Sequence, residues 1–144
     1  MRIVLDTNVL VSALLNAHGS PGRVLDGLLL GELRLVCDDR ILGEYREVVV
    51  RPKFRFDPGH RDRVLEYLAG ACERVVAPPM GCALPDPDDR AFLEVAVDAA
   101  ADALVTGNTR HYPEGVRHGV SVLTPAEFVA EWERVRQRDA ERQE

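Results

Sequence analysis

Residues Ile3-Val4-Leu5 form an apolar run too short for anything but a buried strand. Asp6 interrupts it, and apolar residues then resume at helical spacing through Val9, Leu10, Ala13 and Leu14. A strand that hands over to a helix at a carboxylate belongs to open α/β folds, whose chemistry lies beyond the carboxyl ends of the strands. The same residue type also caps helices, so this stretch alone leaves Asp6 as either a cap, shared with Thr7, or an active-site group.

The pattern repeats along the chain. Leu33–Cys37, Val75–Ala77, 102–106 and Val120–Leu123 read as short strands, and amphipathic helices separate them. Ser20-Pro21 reads as the cap and first turn of the second helix, which stops near Gly31; Asp38 or Asp39 caps a third that runs to about Val50; Asp57-Pro58 starts a fourth. A fifth is expected over 88–100 with Phe92, Leu93, Ala96, Val97 and Ala100 inward, and Thr124-Pro125-Ala126-Glu127 is a capping box for the last. Short apolar strands alternating with helices predict an α/β domain: a central, mainly parallel sheet of four to five strands, covered on both faces in three layers. The domain is expected over 1–136, with a mixed-charge tail at 137–144 that is expected to fray.

Several classes are excluded or disfavoured. No apolar run approaches the ~18 residues of a membrane span, and no signal-type segment is evident, so a reducing cytoplasm is the expected compartment. Cys37, Cys72 and Cys82 suggest neither a disulfide framework nor a zinc site, and Cys37 is expected simply to pack. The net charge of -6 argues against broad adhesion to nucleic acid, but not against a nuclease whose acidic site is neutralised by metal. Lys53 is the only lysine and sits at a helix exit, which disfavours a receiver-like phosphotransfer domain. There is no P-loop, GxSxG or Cys-His nucleophile context.

The carboxylates carry the chemistry. On a helical wheel Ile41, Leu42, Tyr45, Val48 and Val49 define a buried stripe, with Glu44 roughly 100° from its centre and Glu47 nearly opposite. Glu44 thus borders the core, where a cation or an arginine would stabilise it. Asp86 and Asp88 suit a helix start; Asp89 sits one turn in, and read without context it is structural. Thr106-Gly107-Asn108 offers a hydroxyl and a carboxamide at a strand end beside the turn after Asp6. Oxygen side chains without a histidine pair or cysteines favour Mg²⁺ or Mn²⁺ over zinc.

Four segments together resemble the PIN domain (named from the PilT N-terminus), in particular the toxin ribonucleases of prokaryotic toxin–antitoxin modules. They are Leu5-Asp6-Thr7-Asn8-Val9-Leu10-Val11-Ser12-Ala13; Ile41-Leu42-Gly43-Glu44-Tyr45-Arg46-Glu47-Val48 with Arg51-Pro52-Lys53-Phe54; Asp86-Pro87-Asp88-Asp89-Arg90-Ala91-Phe92-Leu93; and Ala101-Asp102-Ala103-Leu104-Val105-Thr106-Gly107-Asn108. The resemblance implies a Mg²⁺- or Mn²⁺-dependent endoribonuclease selective for single-stranded RNA, with Asp6, Glu44 and Asp89 as metal ligands. Thr7, Thr106 and Asn108 would then position water around them. Many family members carry a fourth acidic residue where this chain has Asn108, which removes one charge and leaves a non-catalytic RNA- or protein-binding relative as the alternative. It further implies a homodimer and a cognate antitoxin. Arg46, Arg51, Lys53 and Arg55, with Tyr45, Phe54 and Phe56 among them, either guide an RNA strand or form a solvated helix end over core aromatics. His111 and His118 lie in the irregular loop expected over 107–119, where loop hydrogen bonding is the expected role and contact with substrate the alternative.

Overall fold

The computed structural model describes residues 1–81 and 83–143; Cys82 and the last tail residue, Glu144, lie outside them. Strands β1 (Arg2–Leu5), β2 (Arg34–Cys37), β3 (Glu73–Arg74), β4 (Ala103–Val105) and β5 (Val122–Leu123) form one sheet of order β3-β2-β1-β4-β5. Every pairing is parallel. Helices α1 (Thr7–Leu15), α2 (Ser20–Leu29), α3 (Asp39–Val49), α4 (Pro58–Ala71), α5 (Arg90–Asp98) and α6 (Pro125–Arg142) cover it. The expected three-layer α/β/α arrangement is the observed one.

The interior strand β1 buries Ile3, Val4 and Leu5 on both faces, as a covered parallel sheet requires. Helix α3 turns Ile41, Leu42, Tyr45 and Val49 inward, and Asp38 caps it by accepting the Ile41 N–H at 3.0 Å. Asp57 caps α4 in the same way, and Thr124 with Glu127 completes the expected capping box on α6. Helix α6 lies against α2, where a Cβ on Gly27 would stand 2.6 Å from the Trp132 ring; only glycine permits that approach.

Several sequence expectations shift. The third strand forms at Glu73–Arg74 rather than Val75–Ala77, because its partner β2 ends at Cys37, where the chain turns into the cap of α3. After one last bond, from the Val75 N–H to the Cys37 carbonyl, no ladder remains and Val76 is exposed. Gly19, not Ser20, occupies the cap position of α2. The fifth helix is preceded by a 3-10 turn at Pro87–Asp89 and ends at Asp98 before Ala100, whose φ of 48° breaks the helix. Its buried face includes Glu94 and Val95, while Ala100 is exposed. Helix α6 continues past Arg136 to Arg142.

Candidate active site

Parallel register builds the site. Leu5 pairs with Val105, so Asp6 and Thr106 each stand one residue beyond adjacent strand ends, on the same edge of the sheet. The Asp6 N–H donates to the Val105 carbonyl at 2.9 Å, and the Thr106 N–H to that of Leu123 at 2.9 Å. Asp6 is buried, 5% exposed, and Oδ2 accepts from the Thr106 hydroxyl at 2.9 Å and the Tyr112 hydroxyl at 3.0 Å. Burial raises its pKa above the ordinary aspartate value, and these hydrogen bonds offset only part of the rise.

Glu44 reaches the same edge from α3, half-buried as its wheel position predicts, and accepts the Thr7 hydroxyl. Its pKa is raised, first by burial and then by the negative charges of Asp6 and Asp88; the Thr7 hydrogen bond opposes this. The Tyr45 hydroxyl donates to the Leu5 carbonyl at 2.5 Å, fastening α3 to the strand end that carries Asp6. Asp89, 8% exposed, sits 3.0 Å from His111 Nδ1. Burial and then the charges of Asp6 and Asp86 push its pKa up to about 6, against the opposing pull of His111.

Glu44 and Asp89 are therefore each within electrostatic reach of Asp6, the charge that both feel. No three His, Cys, Asp or Glu side chains form a ready-made metal cluster among the described residues. The donor set still suits a hard divalent cation. It is made of carboxylates whose mutual repulsion a cation would relieve.

Asn108 behaves differently from these three. Its N–H donates to the Thr106 hydroxyl at 3.1 Å, while the residue lines a neighbouring cleft of about 460 Å³ with Asn8, Ser12, Gly107 and Pro125. The Asn8 carboxamide accepts the Gly107 N–H at 3.0 Å and joins the two turns. Arg46, Arg51, Lys53 and Arg55 are exposed beyond the middle of α3, and Arg51 pairs with Glu47 at 3.8 Å. Phe54 and Phe56 stack on each other with centroids 5.5 Å apart. Tyr45 is fully buried, so it is unavailable for stacking on a base.

Two features escaped sequence reasoning. Tyr112, in the loop expected after Asn108, is fully buried with its hydroxyl on Asp6; an aromatic in an otherwise largely polar loop was the one available signal. The other is an ionic bridge between α3 and α5, in which the half-exposed Arg40 joins two buried carboxylates. Arg40 Nε donates to Asp38 at 2.8 Å and its Nη1 to Glu94 at 2.7 Å, and Glu94 also accepts the Met80 N–H at 2.8 Å. It ties together the two helices that carry or follow Glu44 and Asp89. A cleft of about 390 Å³ between them is lined by Arg40, Glu44, Pro79, Asp88, Arg90 and Glu94, among others.

A parallel, doubly covered α/β sheet with carboxylates beyond its central strand ends defines the class. The sequence model of the PIN domain matches residues 2–110, and the chain belongs to that family. Among curated proteins it is 29% identical over 145 residues to the uncharacterised protein MJ1680 of Methanocaldococcus jannaschii, with 93% of each chain covered. Two solved structures share the fold at 18% identity. FitAcB from Neisseria gonorrhoeae has a TM-score of 0.57, covering 86% of this chain and 98% of its own. VapBC2 from Rickettsia felis, bound to a DNA fragment from its promoter, has a TM-score of 0.52, covering 85% and 97%. No helix among the described residues is long and apolar enough to cross a membrane.

Proposed function

We propose that the chain is a Mg²⁺- or Mn²⁺-dependent endoribonuclease acting on single-stranded RNA, and the toxin of a toxin–antitoxin pair. One observation supports the nuclease reading: in a PIN-family fold, Asp6 stands just beyond the end of a central strand, and Glu44 and Asp89 each lie near enough to feel its charge. The toxin role rests on the resemblance of the four motifs to toxin ribonucleases. A cognate antitoxin, a homodimer and a cytoplasmic site of action belong to the same reading.

Asp6, Glu44 and Asp89 would hold the cation, which supplies Lewis-acid polarisation of a phosphoryl oxygen when bound. The protein's part is orientation. Thr106 and Tyr112 fix the Asp6 carboxylate, Thr7 fixes that of Glu44, and His111 fixes that of Asp89. Asn108 orders the turn after β4 through its backbone and lines the adjoining cleft, where its carboxamide would position water. Arg46, Arg51, Lys53 and Arg55 supply exposed positive charge for the phosphate backbone.

The test is cleavage of single-stranded RNA with Mn²⁺ or EDTA, by the wild type and by Asp6→Ala. Activity that survives both EDTA and the substitution refutes the mechanism. Asparagine at 108 favours a second reading, a PIN-family domain that binds RNA or protein without cutting. Calorimetry separates the two, since the binder would show no Mn²⁺ affinity.

A further inference from the structure

We propose that Cys37 and Cys72 form an intramolecular disulfide when the protein meets a small-molecule disulfide such as glutathione disulfide. Both thiols are free, and their sulfurs lie 2.8 Å apart, within about 1 Å of the ~2.05 Å length of an S–S bond. The proposal stands apart from the nuclease reading, because neither cysteine touches the carboxylates.

The fold brings this pair together from positions 35 residues apart in sequence. Cys37 is the last residue of β2, fully buried, and Cys72 caps the C-terminus of α4 just before β3. Strand β3 pairs with β2 at Cys37 and Arg74, and the Val75 N–H donates to the Cys37 carbonyl at 2.9 Å. The backbone that a cross-link would have to hold is therefore already held. With the two sulfurs already in contact across a paired backbone, closing the bond asks for a small side-chain adjustment.

The pair is also reachable from one side. Cys72 is half-buried and lines a cleft of about 130 Å³ together with Arg34, Leu35, Tyr67, Leu68 and Ala71. Cys37 is closed off, and burial raises its thiol pKa. Cys72 is thus the entry thiol. Its thiolate attacks one sulfur of the external disulfide and displaces one thiolate, giving a mixed disulfide on Cys72. Cys37 then loses its proton and attacks the Cys72 sulfur, displacing the second thiolate. In sum, two protein thiols are oxidised to one S–S bond, and one external disulfide is reduced to two thiols. Each displaced thiolate ends protonated by one of the two protons the cysteines give up.

The test treats the full chain with glutathione disulfide and reads intact mass, alkylatable thiols after denaturation, and thermal melting. Of the three cysteines, one should stay alkylatable, the mass should fall by two hydrogen atoms, and a peptide map should join Cys37 to Cys72. Closing this loop should raise Tm by roughly 5–10 °C, reversed by dithiothreitol. Cys82→Ser should cross-link as the wild type does, and Cys72→Ser should not. A bond that involves Cys82 or a second chain, a glutathione adduct that persists on Cys72, three thiols left alkylatable, or a Tm that fails to rise with cross-linking would each overturn the proposal.

Discussion

Asp89→Asn should make the metal-free protein more stable at neutral pH, although it removes a proposed ligand. The folded chain holds the Asp89 proton more tightly than the unfolded chain does: burial and the Asp6 and Asp86 charges lift its pKa from 3.8 to about 6. Unfolding therefore releases a proton, and the stability this group contributes falls as pH rises from about 4 through about 6. A shift of roughly 2 units at about 1.4 kcal/mol each means the ionised carboxylate costs on the order of 3 kcal/mol at pH 7.5. Asparagine removes that cost and keeps an oxygen to accept from His111 Nδ1. In a chain of 144 residues the gain corresponds to a Tm rise of roughly 6–12 °C. Thermal melts of both proteins in EDTA at pH 7.5, 5 and 4 read it. The difference should shrink to about half at pH 5 and to under about 1 kcal/mol at pH 4, where Asp89 is protonated in the folded chain and partly protonated in the unfolded one. A variant that melts below the wild type at pH 7.5, or a difference that stays constant with pH, would refute the claim that Asp89 sits as an uncompensated charge.

Other expectations follow from the same contacts. In wild type, Mn²⁺ at a hundredfold excess over its Kd should add about 2.7 kcal/mol of stability; Asp6→Ala should lose this response in calorimetry and melting alike. Tyr112→Phe removes a hydroxyl donated to the buried Asp6 carboxylate and should lower stability by about 1.5–3 kcal/mol in urea unfolding at pH 7.5. RNA cleavage by that variant should fall as well, while a rate unchanged from wild type would show that the hydroxyl does not hold Asp6 for the reaction. Arg40→Ala strands the buried Glu94 carboxylate and should cost about 2 kcal/mol, discounted from a fully buried pair because Arg40 is half-exposed; urea unfolding measures it. Thr124→Ala should cost about 1 kcal/mol through the lost α6 cap, with cleavage unaffected.

The sequence by itself determined the layers and several helix starts. Alternation of short apolar runs with helical stripes can be satisfied only by a covered parallel sheet, and local chemistry at Asp38, Asp57 and Thr124 sets where helices begin. The wheel position of Glu44 also followed from periodicity, because burial of one helix face is a local property. The tertiary structure decided what is non-local. Register between β1 and β4 put Thr106 beside Asp6, and a buried Tyr112 arrived from a loop with no periodic signal. Strand β3 formed two residues earlier than its apolar run suggests, because a strand needs a partner ladder and β2 had ended. Glu94, Arg40 and Asp38 paired across two helices, and Cys37 met Cys72, through packing that no single segment encodes. Side chains distant along the chain become neighbours only when the strands choose their order, and that choice belongs to the whole core.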